Sequence, residues 1–373
     1  PVTVGEGATL TIERGTTIKA KYFDSADPRN ADKFGVLVIQ PGSKLIAVGT
    51  EDQPIVFTSS RPAGERKAGD WGGLILLGNA PTNHKDANMQ PTQGKFEGLV
   101  SGGLYGGIND NDSSGTLRYL RLEYGGYQIA PGNEVNGITF GGVGRGTIVD
   151  HVQVRQTADD CFEFFGGNVT AKYLACQYPG DDAFDWDNGF VGKLQFLVLQ
   201  QDPAIADDSN GFEGDNDAVK SQNQPISNPT IYNATLCGQN GDQPKAQYGA
   251  LVRRSTKGTL ANILVMGFET GYDVRDPLTS VSLKNSLFFG NLVNAVAEPE
   301  VAGMPDDDDA GFDEVATFQS PASMNSSADP QIAGCFNATS PSFGPAVALT
   351  ANGAVPPADG FFDVSASHVG AFK

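Results

Sequence analysis

Histidine, tryptophan and methionine are scarce in this chain of 373 residues, which holds three His, two Trp and four Met. His84, His151 and His368 stand singly and none sits in a Gly-flanked motif, so no nucleophile–base pair can be read from them. The four cysteines, Cys161, Cys176, Cys237 and Cys335, lack zinc-ligand spacing. No apolar run is long enough for a membrane-spanning helix, and no phosphate-cradling loop occurs. Helix-capping patterns followed by long apolar heptads are missing too. Positive charge is short: 25 Lys and Arg face 44 Asp and Glu, for a net charge of −19. Such a surface repels nucleic acid and anionic membrane and attracts divalent cations, although solubility alone also accounts for acidity. No signal peptide is evident, and Pro1 in place of Met reads as a mature or trimmed terminus.

What is abundant is glycine, 47 residues, and a repeat. Segment 147–190 nearly superposes on itself after a shift of about 22 residues, laying Asp159-Asp160-Cys161-Phe162-Glu163-Phe164 on Asp181-Asp182-Ala183-Phe184-Asp185-Trp186. Each unit alternates apolar residues, turns on Asp, Asn and Gly, and alternates again, which is the pattern of strands. Six strands share one frame, led by Gly137-Ile138, Cys161-Phe162, Ala183-Phe184, Gly211-Phe212, Gly249-Ala250 and Gly271-Tyr272. A second strand recurs as Leu120-Arg121-Leu122, Val152-Gln153-Val154, Leu174-Ala175-Cys176, Phe196-Leu197-Val198, Leu264-Val265-Met266 and Ser286-Leu287-Phe288. Units this thin bury a core only by stacking, so the expected fold class is all-β, a parallel β-helix solenoid. It should occupy 1–298, with a long insertion at about 79–115 and bulges at about 200–230 and 238–248. Residues 299–373 lose the period and read as an irregular C-terminal wrap or cap of the same domain, in which Asp306-Asp307-Asp308-Asp309 is a solvated loop or a surface Ca²⁺ ligand.

In a stacked coil each position forms a column at strand spacing. If Phe162 and Phe164 point inward as a buried aromatic stack, three outward columns follow. The first is small: Gly137, Cys161, Ala183, Gly211, Gly249, Gly271. The second is acidic: Thr139, Glu163, Asp185, Glu213, Leu251, Asp273. The third changes sign: Gly141, Phe165, Asp187, Asp215, Arg253, Arg275. Stacked carboxylates repel unless a cation sits between them or one is protonated. Glu163, Asp185, Asp187, Glu213 and Asp215 are therefore the candidate ligands of Ca²⁺, which takes several carboxylate oxygens in loose geometry. The competing reading splays these side chains into solvent and pairs Asp215 with Arg253. Asn136, Asp160, Asp182 and Asn210 are expected to satisfy turn backbone rung upon rung. Cys176 and Cys237 are placed in an inward column with Val154, Val198, Met266 and Phe288, too far apart to bridge and so small core residues; the state of Cys161 and Cys335 stays open.

Gly69-Asp70-Trp71-Gly72-Gly73-Leu74, Asn133-Glu134-Val135-Asn136-Gly137-Ile138, Phe162-Glu163-Phe164-Phe165-Gly166-Gly167 and the closing Phe361-Phe362-Asp363 with Gly370-Ala371-Phe372 together resemble a bacterial family of surface-exposed or secreted proteins. Its members have a pectin-lyase-like right-handed β-helix, lipoproteins and S-layer proteins included. The resemblance implies that fold and an extracellular or cell-surface location. The expectation drawn from it is a structural or adhesive surface protein, assisted by Ca²⁺, with neighbouring copies of itself or envelope polysaccharide as partners. A Ca²⁺-dependent polysaccharide lyase is the enzymatic alternative, with Arg253 or Arg275 taking the proton beside a uronate; a carbohydrate-binding module is the third. Asp159-Asp160 and Asp181-Asp182 resemble the paired aspartates of polygalacturonases, but the Gly-His-Gly and Arg-x-Lys segments of those hydrolases are missing.

Overall fold

The computed structural model describes the chain apart from residues 6, 24–29, 31–32, 97–98, 100–102, 131–132, 205–208, 241–246, 296–311 and 333. Asp306–Asp309 therefore lies outside the described residues. One flank is a sheet running through Val2–Val4, Leu37–Ile39, Leu74–Leu77, Ile138–Gly141, Phe162–Phe165, Phe184–Asp187, Phe212–Gly214, Ala250–Val252 and Asp273–Val274. A second sheet descends through Thr9–Ile12, Lys44–Val48, Gly115–Glu123, Ile148–Arg155, Thr170–Gln177, Lys193–Gln200, Thr230–Cys237, Lys257–Met266 and Ser280–Lys284. Neighbouring strands in both are parallel. The fold is a right-handed parallel β-helix.

The first sheet keeps the register that the repeat predicts: Phe162 pairs with Phe184 and Phe184 with Phe212. Phe162 and Phe184 stack with centroids 5.5 Å apart, and Phe212 follows at 5.8 Å. All three are fully buried, so the aromatic column is core. The small column does not face outward as expected. A Cβ on Gly137 would meet Val154 Cγ1 at 2.5 Å, and one on Gly249 would meet Val265 Cγ1 at 2.3 Å. These residues sit in the turn before the strand, where strand alternation no longer applies, and the turn closes tightly on the opposite sheet.

The second sheet departs from the predicted register by one residue. Leu174 pairs with Leu197, not Phe196, and Cys176 with Leu199. The turn from Asp187 to Lys193 holds one residue more than that from Phe165 to Thr170. A slip of one sends each side chain to the other face. Cys237 accordingly aligns with Gln200 and Gln177 and turns away from the interior. Both cysteines are bonded rather than free: Cys161–Cys176 ties a turn of the first sheet to a strand of the second, and Cys237–Cys335 staples the C-terminal wrap.

Each long strand of the second sheet bends at a left-handed residue: Tyr119, His151, Tyr173, Phe196, Asn233, Asn262 and Asn285, with φ from 46° to 63°. The upper four rings stack face to face at 4.3–4.8 Å, so a sugar ring has no face between them on which to lie. The lower three are asparagines, which tolerate this conformation and whose amides hold the tail. Asn262 Nδ2 donates to Ala354 O at 2.8 Å, and Ala354 N–H donates to Asn262 Oδ1 at 2.7 Å. Asn285 Nδ2 reaches Asn352 O at 2.8 Å. The tail thus runs along the flank, while Phe312 and Phe318, around the short helix Glu314–Gln319, pack on the core. Replacing Asn262 by Gly keeps the conformation but deletes both bonds. It should cost about 1–2 kcal/mol and expose residues 349–373 to limited proteolysis; an unchanged cleavage pattern would refute the clamp.

Candidate functional site

The first sheet does not face open solvent. Its flank is roofed by the 79–115 excursion, which folds back on the coils: Asn83 N–H donates to Asn188 O at 3.0 Å and Gly106 N–H to Gly78 O at 2.8 Å. Tyr105 lies 6.2 Å from Phe165 and Phe96 lies 6.3 Å from it. Ile75, Leu77, Phe96 and Tyr105 form a small second core there. Under the roof is a cleft of about 440 Å³. Its floor is Asn136, Asp159, Asp160, Glu163, Asp181 and Asp185, and its far end is Asp187 with Asn188; His84, Lys95 and Tyr105 of the strap face them.

The turn ladder builds half of this floor. Asp182 N–H donates to Asp160 Oδ1 at 2.9 Å, Asn210 N–H to Asp182 Oδ1 at 2.7 Å, and Tyr248 N–H to Asn210 Oδ1 at 3.0 Å. That part of the sequence reading holds. The aspartates do more, however, because they stand three residues before the acidic strand column and meet it. Carboxylate oxygens of Asp160, Glu163 and Asp185 lie within 4.8 Å of one another, as do those of Asp182, Asp185 and Glu213, and of Asp159, Asp160 and Asp181. Asn136 Nδ2 bonds Glu163. Asp185 Oδ1 is buried and accepts no hydrogen bond. The spacing Asp-Asp-x-x-Glu/Asp, present at 159–163 and again at 181–185, was the available signal.

The five expected ligands do not converge on one point. Glu163 and Asp185 share the cluster with Asp160. Asp187 lines the same cleft but binds its neighbour, with Asn188 N–H donating to Oδ1 at 2.6 Å and Asn188 Nδ2 to Oδ2 at 3.1 Å. Asp215 takes Arg253 Nε at 3.1 Å and Arg254 Nη1 at 2.6 Å, and Arg253 Nη2 also holds Glu213. Arg275 pairs with Asp273 at 3.0 Å and donates to Tyr248 OH at 2.8 Å. The competing reading, an ion pair between Asp215 and Arg253, is thus what the geometry shows for the lower half of the column. Burial alone would lower the pKa of Arg253, but Glu213 and Asp215 raise it. A guanidinium held this way is a charge partner and a poor proton acceptor.

Among the described residues no Lys or Arg forms an ion pair with Asp160, Glu163 or Asp185, although Lys95 lines the same cleft. Burial, then the charge of Glu134, pushes Asp159 up to about 7. Burial, then Asp215, pushes Asp187 up to about 7. Asp160, Glu163, Asp182 and Asp185 are driven well above the carboxylate range, by burial first and neighbouring carboxylates next. Two like charges at this separation repel by about 3 kcal/mol at an effective dielectric of about 20. Protonation or a divalent cation relieves that. The oxygen-only donor set, the Asp185 oxygen lacking a partner and the loose grouping fit Ca²⁺. On the opposite wall His84 Nδ1 lies 3.1 Å from Thr82 Oγ1 and its ring stands edge-on to Tyr105 at 5.6 Å. Burial lowers the pKa of His84, with Asp217 opposing.

Residues 1–326 match the family described as pectate-lyase like beta helix domain. A comparison with curated proteins gives no match. Among solved structures the chain is similar to the crystal structure of alginate lyase from Paenibacillus sp. str. FPU-7, at 11% identity over 78% of this chain and 92% of that one, with a TM-score of 0.18.

Proposed function

The chain belongs to the pectate-lyase-like β-helix domain family, and from that premise we propose that it is an exported, Ca²⁺-dependent lyase of uronate-bearing polysaccharide. The observation that carries this reading is the cleft itself, in which Asp160, Glu163 and Asp185 crowd together with no ion-paired Lys or Arg among the described residues, and which His84 and Lys95 of the strap also line. An acidic cleft repels an acidic polymer unless a cation intervenes. Ca²⁺ on these carboxylates would bind the substrate carboxylate and acidify the proton beside it. Asp160, Glu163 and Asp185 hold the cation, Asn136 orients Glu163, and the roof restricts water. Two disulfides and no free cysteine suit an oxidising compartment outside the cell.

On a panel of uronate polymers with Ca²⁺, turnover should appear as ultraviolet absorbance of unsaturated ends and vanish with EDTA. Silence on every polymer, with Ca²⁺ binding intact, would sink the lyase and leave a glycan-binding or coat role.

A second reading, a coat or adhesive protein, draws on an apolar recess of about 600 Å³ at the first coils, lined by Leu10, Ile12, Ile18, Phe57 and Trp71 among others. There a neighbouring copy would stack and add to the core. Sedimentation velocity should then show concentration-dependent assembly, weakened by Ile18→Asp; a monomer at all concentrations removes this reading.

A further inference from the structure

We propose that His84 is the catalytic base of the cleft, taking the proton at C5 of the uronate; this rests on the lyase reading above. Four observations converge on it. The bond from Asn83 N–H to Asn188 O, 3.0 Å, sets the strap directly against the turn that carries Asp187, so His84 and Asp187 flank one contact and line one cleft. Asn83 Nδ2 anchors the same point from below, donating to Asn216 O at 2.8 Å. Thr82 Oγ1 lies 3.1 Å from Nδ1, so in the Nδ1–H tautomer that the proposal requires it accepts and the lone pair is at Nε2, while the Tyr105 ring stands edge-on to the imidazole. Burial keeps that imidazole neutral near neutral pH, as a proton acceptor must be.

Arg253 and the floor carboxylates are worse placed as bases. Arg253 is held by Glu213 and Asp215, and a floor carboxylate shared with a cation is a weak base. Asp217 acts on the charge of the ring, Tyr105 stands against it, and Lys95, Asp187 and the carboxylates of the floor line the same cleft.

The C5–H bond breaks with its proton going to Nε2, the electron pair forms the C4=C5 double bond, and the C4–O bond breaks. The leaving oxygen takes a proton from a solvent water. The proton on Nε2 returns to solvent and neutralises the hydroxide left by that water, so no oxidant and no net water is consumed.

The test measures kcat and KM on the best uronate polymer, alongside Ca²⁺ titration by calorimetry. His84→Ala should lower kcat by about 10²-fold or more while KM stays within about threefold, and added imidazole should restore part of the rate. His84→Asn, which keeps a donor for Thr82, should be as slow as His84→Ala, so a folding defect in one variant does not decide the matter. Activity within about tenfold of the parent in either folded variant overturns the assignment and leaves the lyase standing. A parent protein that binds Ca²⁺ yet cleaves no polymer overturns the lyase reading and this assignment together.

Discussion

Stripped of divalent cations, the protein should be less stable at about pH 8 than at about pH 5, and Ca²⁺ should reverse the loss at the higher pH. The sign follows from Asp159 and Asp187, whose folded-state values lie at about 7 against an ordinary 3.8. A group raised on folding contributes stability that is complete below its unfolded value and is lost as pH rises through its folded one. The window therefore runs from about 4 to 7 and upward, and the clustered Asp160, Glu163, Asp182 and Asp185 push in the same direction. Asp359 and Asp363 are shifted the other way but lie on the surface. The expected loss is about 2–4 kcal/mol, and Ca²⁺ at a hundred times its dissociation constant returns about 2.7 kcal/mol. Glu163→Gln and Asp185→Asn should each flatten the pH dependence and abolish the Ca²⁺ response. Melting curves at both pH values, with EDTA and with Ca²⁺, read all of this. Superposable curves with and without cation at the higher pH would rule out the site.

Why half of this cleft could be read from the sequence and half could not is a matter of range. The Phe162–Phe184–Phe212 column and its acidic neighbours repeat because each coil meets the next with the same short strand, so register is written locally. The second sheet is reached through turns of varying length, and one extra residue before Lys193 was enough to misplace Cys237 by a face. Cys161 and Cys176 pair across the interior of the coil, a contact that no column along one sheet contains. The strap is least legible of all. Nothing periodic marks 79–115, yet Phe96 and Tyr105 settle on Phe165 and carry His84 over the acids. In the sequence Phe165 is simply the one apolar side chain of a column otherwise small or charged.

Arg253→Ala should destabilise the protein by about 3–5 kcal/mol, the range for a buried ion pair that loses one partner. Arg253 closes the acidic column from below: its side chain is 18% exposed, it binds Asp215 through Nε, and it binds Glu213 through Nη2. Asp215 would keep Arg254 at 2.6 Å, but Glu213 would lose its direct ion pair and keep the Asn210 amide at 3.2 Å and the more distant charge of Arg254, beside Asp182 and Asp185. That is the environment argued above to demand a cation. The guanidinium thus occupies in the lower group the role that Ca²⁺ is proposed to take in the upper one, and its removal should open a second cation site. Calorimetric titration should show a second Ca²⁺ per chain in Arg253→Ala, and high Ca²⁺ should recover much of the lost stability. Adding Glu213→Gln to Arg253→Ala should remove that second site and recover stability without cation, because the stranded charge is gone. Arg253→Ala within about 1 kcal/mol of the parent, with unchanged Ca²⁺ stoichiometry, would mean that the lower carboxylates are solvated and that the column is not divided between a guanidinium and a metal.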